Sequence, residues 1–169
     1  MKSIVSIGLF ICLTLHATSC FSADFRLHRI IDGDTLEVIT DKGERIIVHL
    51  IGIDAPEMPN RKSEKGQPFC KPAQAKLADL VTNKKFSFQA ESRLVNNQVL
   101  AVVYSEGRNV NLEMIKAGLA EVYKGALPAG FDVQPYIEEE AAAKKQEKGM
   151  WALGKVYMSP SVWRTANTQ

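Results

Sequence analysis

One hairpin constrains this chain more than any other feature. Residues Thr35–Thr40 (Thr-Leu-Glu-Val-Ile-Thr) alternate with period two, the pattern of a half-buried strand. Asp41-Lys42-Gly43 follows as a turn, because Gly accepts positive φ and Asp can hydrogen-bond its own backbone. Residues 45–51 return as a second strand that is apolar on nearly both faces, so the sheet holding it must be closed or covered. A hairpin brings its two ends together. It therefore places Ile31-Asp32-Gly33-Asp34-Thr35 beside Ile51-Gly52-Ile53-Asp54-Ala55-Pro56-Glu57.

The other elements follow from periodicity. Residues 25–31, 86–91 and 99–104 read as strands, the last two flanking an Asn96-Asn97 turn. Three segments carry helical spacing: 72–81, opened by Pro72; 109–117, stopped by Gly118; and 136–148, with acids early and lysines late. Five short strands and three helices give an α+β domain, and the strand pattern fits a small Greek-key barrel.

Composition limits the class. With 169 residues, 46% apolar and 24% charged, the chain has enough for one packed domain and is neither disordered nor a multi-span membrane protein. A formal charge of +2 is too small to indicate a nucleic-acid partner by itself. Lys2, the apolar run over residues 4–15 and the small residues up to Ala23 read as a secretory signal, too short to span a bilayer. An uncleaved anchor, or a lipid anchor through Cys20, stays open. The expected division is residues 1–23 as signal, 24–151 as the domain and 152–169 as a tail, with no transmembrane span after signal removal and a secreted or periplasmic location. Cys70 is then the single cysteine left, so no internal disulfide supports the fold.

The two acidic segments carry the chemistry. Asp34 and Asp54, with backbone carbonyls and waters, make an incomplete oxygen cage of the kind Ca²⁺ accepts. Glu57, held by the Pro56 turn, can sit beside that cage and take a proton from an activated water. Either segment alone reads as an ordinary turn; together, in this order and spacing, they are specific.

In these segments the chain resembles the staphylococcal nuclease (thermonuclease) family. The resemblance continues through Pro72-Ala73-Gln74-Ala75, Asn109-Val110-Asn111, Ala117-Gly118-Leu119-Ala120 and Gly149-Met150-Trp151, and Pro160-Ser161-Val162-Trp163-Arg164 is similar to the tail of many exported bacterial members. It implies an oligonucleotide-binding-type barrel with three helices and Ca²⁺-dependent hydrolysis of DNA and RNA. By the same resemblance Asp34, Asp54 and the Ala55 carbonyl would hold the metal, and Glu57 would be the general base.

The resemblance breaks at two positions. Where the family places catalytic arginines this chain has His49, in Val48-His49-Leu50, and Gln98, in Asn96-Asn97-Gln98-Val99-Leu100-Ala101. Charge building on a phosphoryl group in flight needs a permanent cation, and losing one such arginine costs on the order of 10³–10⁵ in rate. The expected activity is therefore a weakened or lost nuclease whose cationic side is vacated. Arg93 is a candidate replacement, and Tyr123 a candidate wall for a bound nucleotide. The alternative is a non-catalytic module binding a polyanion, an envelope polysaccharide or a protein partner. Either way the chain is read as a monomer.

Overall fold

The computed structural model describes residues 25–59, 61 and 65–167. The proposed signal, with Cys12 and Cys20, lies outside them. Strands β1 (Phe25–Ile30), β2 (Thr35–Thr40) and β3 (Arg45–Leu50) form an antiparallel meander, with Thr35 opposite His49 and Leu36 opposite Val48. The turn joining β2 to β3 works as expected: Gly43 has φ +79°, and its N–H donates to the Thr40 carbonyl at 2.9 Å. Two residues, Ile53–Asp54, make a short β4 after it.

Strands β5 (Phe86–Arg93) and β6 (Gln98–Ser105) form a second antiparallel pair, with Asn96 and Asn97 both left-handed in the turn between them. Asn tolerates that conformation because its short polar side chain bonds locally. β6 runs parallel to β3, so the sheet order is β1-β2-β3-β6-β5, with β7 (Arg108–Asn109) added on β6. Phe25 meets Phe86 at 5.2 Å and Phe88 at 4.9 Å between ring centroids, so the sheet curls until its two edges touch. Among the described residues no hydrogen-bonded ladder joins β1 to β5, and the expected barrel is open, sealed by rings instead.

Helix α1 (Cys70–Val81) buries Cys70, Ala73, Leu77, Leu80 and Val81, one apolar face at helical spacing. It begins two residues ahead of Pro72. Helix α2 (Val110–Lys116) is capped by the Asn109 side chain, which accepts the Leu112 N–H at 3.1 Å. It ends at Gly118, where φ is +65° and an added Cβ would lie 2.2 Å from the Lys148 carbonyl oxygen. Next come β8 (Glu121–Val122), paired with β4, then α3 (Gln134–Lys145), a 3₁₀ segment (Gly149–Val156) and α4 (Pro160–Asn167). Helix α4 is a fourth helix where three were expected. Its eight residues are too few for periodicity to declare it.

The core lies between the curled sheet and the helices α1 and α2, around Leu36, Val48, Leu77, Val103, Met114 and Ile115. A polar residue sits inside it. Asn111 is fully buried, donates to the carbonyls of Ile51 (2.9 Å) and Ala101 (3.1 Å), and accepts the Val103 N–H at 3.0 Å. It pins the chain leaving β3 to β6, and so fixes where the second acidic segment begins. Asn111→Leu should orphan the Val103 N–H and the Ile51 carbonyl, each worth about 1–3 kcal/mol when buried unpaired. Urea unfolding should show a midpoint lowered accordingly with an unchanged m-value.

Candidate functional site

The first acidic segment is a tight corner between β1 and β2. The N–H groups of Ile31 and Asp32 both donate to the Thr35 carbonyl, and the Asp34 N–H donates to Asp32 Oδ1 at 3.0 Å. Gly33 is what lets this corner press on the second segment: an added Cβ would lie 2.6 Å from Ala73 Cβ and 2.8 Å from Ala55 Cβ. At that close approach Asp34 Oδ2 accepts the Ala55 N–H at 2.7 Å, and Asp34 Oδ1 accepts the Thr35 hydroxyl at 2.8 Å. Burial, with the Asp32 carboxylate beside it, pushes the Asp34 carboxyl well above the usual carboxylate range.

Asp54 is buried on β4, which aligns it opposite Glu121 of β8. Pro56 carries the chain out of β4, and the Glu57 N–H is fixed by Gln67 Oε1 at 3.0 Å. Burial raises the Glu57 carboxyl above its ordinary value, while Arg164 draws it back. Asp34 and Asp54 thus line one cleft, and Glu57 is joined to Asp54 through the Arg164 guanidinium.

The two positions flagged for missing guanidinium groups face each other. His49 Nε2 donates to Gln98 Oε1 at 2.9 Å, and His49 Nδ1 meets the Thr35 hydroxyl oxygen at 3.2 Å. Since that hydroxyl also reaches Asp34, a continuous polar chain runs from Gln98 to the first aspartate. His49 and Tyr123 line a cleft of about 280 Å³ together with Asp34, Asp54 and Leu100. Arg93 is exposed at the end of β5, outside that lining.

The tail brings one guanidinium onto the acidic side of the site. Arg164 of α4 forks onto Asp54, Nη1 to Oδ1 at 2.7 Å and Nη2 to Oδ2 at 2.9 Å, and Nη1 also donates to Glu57 Oε1. These charge-assisted bonds raise the already high pKa of its guanidinium further. The sequence noted the Trp163-Arg164 tail, but Asp54 and Arg164 stand 110 residues apart and no spacing rule connects them.

Asp34, Asp54 and the Ala55 carbonyl are hard oxygen donors, matched to Ca²⁺ rather than to a thiolate- or imidazole-seeking metal. Among the described residues no three His, Cys, Asp or Glu side chains form a ready ligand set, so such an ion would complete its shell with carbonyl and water. Each carboxylate oxygen keeps a second lone pair beyond the bond it now accepts. The Asp32 carboxylate beside Asp34 and the guanidinium docked on Asp54 both mark a pocket that favours positive charge. On that chemistry the residues fit the ion.

Similarity to known proteins agrees with this arrangement. The family model for staphylococcal nuclease homologues matches residues 47–153. A Haemophilus influenzae protein named "uncharacterized endonuclease" is 34% identical over 164 residues, covering 96% of this chain and 85% of its own. An Escherichia coli protein of the same name is 31% identical over 146 residues, 86% of this chain and 87% of its own. A "probable endonuclease LCL3" of Verticillium alfalfae is 36% identical over 118 residues, 66% of this chain and 41% of its own. With a curled five-strand sheet, an acid-lined hairpin end and these relatives, the chain belongs to the staphylococcal nuclease family.

Proposed function

We propose that this protein is an exported endonuclease that hydrolyses DNA or RNA phosphodiesters with the help of calcium. The observation that carries the reading is that Asp34 and Asp54 line one cleft, with Glu57 tied to Asp54 by a shared guanidinium. The relatives' names support the reaction class, and the Lys2-led apolar segment supports export. No helix among the described residues is long and apolar enough to cross a membrane.

Asp34, Asp54 and the Ala55 carbonyl would hold the ion, which when bound supplies positive charge next to the phosphoryl oxygens. Glu57 takes a proton from the attacking water. The water oxygen forms a bond to phosphorus, the P–O bond to the leaving nucleotide oxygen breaks, and that oxygen takes a proton from solvent. Partial burial of Glu57 makes its carboxylate a stronger base than an exposed one, in the direction general-base catalysis needs. Tyr123, about two-fifths exposed on the cleft wall, offers a ring against which a base can lie. His49 and Gln98 carry no permanent charge and are bonded to each other, which argues for a slow enzyme by the family's standard.

Plasmid DNA and single-stranded RNA, incubated with Ca²⁺ or with chelator across pH 5–9, test the reading. Chelator-sensitive cleavage is expected; its complete absence leaves only the non-catalytic polyanion-binding module. Glu57→Gln should lower the cleavage rate by about 10²–10⁴-fold, the usual contribution of a positioned base. Calorimetric titration with Ca²⁺ should give a binding heat for the native chain and none for Asp34→Ala, with both variants unfolding cooperatively.

A further inference from the structure

The cleft is poor in positive charge. Among the described residues lining it Arg164 is the single Lys or Arg, set against the carboxylates of Asp34 and Asp54 with Glu57 bonded alongside. An anionic phosphodiester entering there needs a permanent cation, since Coulomb repulsion from the acids is weakly screened in a partly enclosed site. His49 has no permanent charge, and both of its ring nitrogens are already engaged, by Gln98 and Thr35. The Arg164 side chain is 43% exposed although Asp54 beneath it is 6% exposed, and it lines the cleft wall.

Its position is built in by the same residues that build the site. Gln67, which holds the Glu57 N–H, also donates from Nε2 to the Met158 carbonyl at 2.7 Å at the start of the tail. Trp163, one residue before the arginine, lines a small pocket with Gln67, Pro68 and Met150. Tyr157 donates to Glu121 at 2.5 Å, and Glu121 is the β8 partner of Asp54. Two hydrogen bonds thus tie the tail to the residues that set Asp54 and Glu57.

We infer that Arg164 is a catalytic residue of the proposed reaction, a guanidinium delivered by the tail helix to engage the scissile phosphodiester in place of cations on the sheet. This rests on the nuclease reading. As water adds to phosphorus, the group stabilises the negative charge growing on the phosphoryl oxygens while Glu57 takes the proton. Arginine suits this role because its planar fork can span two oxygens, whether of carboxylate or of phosphate.

The test compares the full native chain with Arg164→Ala and Arg164→Lys, each also in a Glu57→Gln background. Anisotropy of a fluorescent single-stranded DNA dodecamer at low salt with Ca²⁺ reads binding without turnover; cleavage rate and Ca²⁺ calorimetry are measured alongside. Arg164→Ala should weaken dodecamer binding by about tenfold or more, one good ionic contact, and lower cleavage by on the order of 10³-fold. Arg164→Lys should recover most of the binding but leave cleavage well below native, because an ammonium lacks the fork. Lys145→Ala, which removes the same charge from an exposed site on α3, should leave binding unchanged. Thermal unfolding of Arg164→Lys guards against a folding defect in the alanine variant. Native-like binding and cleavage by Arg164→Ala would overturn the inference and spare the nuclease reading. Faster cleavage with tighter Ca²⁺ binding would overturn it in favour of a tail that blocks the site. A native chain that neither binds nor cleaves would remove the nuclease reading itself.

Discussion

Asp34 accepting the Ala55 N–H at 2.7 Å is the bond on which the site depends. It joins the corner before β2 to the loop after β4, two segments that meet only because the hairpin returns the chain to its origin. Around it the Thr35 hydroxyl satisfies the second oxygen of Asp34, and the Leu50 N–H donates to the Asp34 carbonyl at 2.8 Å. The glycine at position 33 is part of the same constraint. Any side chain there would wedge the corner away from Ala55 and Ala73 and stretch that bond.

Holding acids this close costs free energy. The Asp34 carboxyl is desolvated and faces Asp32, and Glu57 is raised by burial, so the folded chain works against like charge at the mouth of its cleft. Arg164 offsets part of that cost at Asp54 and Glu57, and a divalent ion would offset more. Both cations would act on the same carboxylates, so the tail helix and the proposed ion site form one electrostatic unit. The attachment of the tail through Gln67 and Tyr157 makes this coupling a property of the fold rather than of a loose terminus.

His49 and Gln98 also have a structural role: they bond to each other and, through Thr35, to Asp34. The polar chain stiffens the β2–β3–β6 seam from which the aspartate projects.

Much of this molecule was legible in the residues themselves. Period-two alternation marked β2 almost to the residue, Asp41-Lys42-Gly43 and Asn96-Asn97 marked their turns, and Asn109 and Gly118 marked the ends of α2, because each depends on local sterics and hydrogen bonding. The acidic pair was legible too, since a hairpin's closure is itself a local property. The two-residue β4–β8 pair, the open seam closed by Phe25, Phe86 and Phe88, and helix α4 were not, being too short or too dependent on distant partners to leave a period. What sequence alone determined, then, was the carboxylate half of the site, whose members lie at the two ends of one hairpin. Only the tertiary structure decided the cationic half, because placing Arg164 on Asp54 requires the whole domain to fold first and offer the tail a surface to dock on.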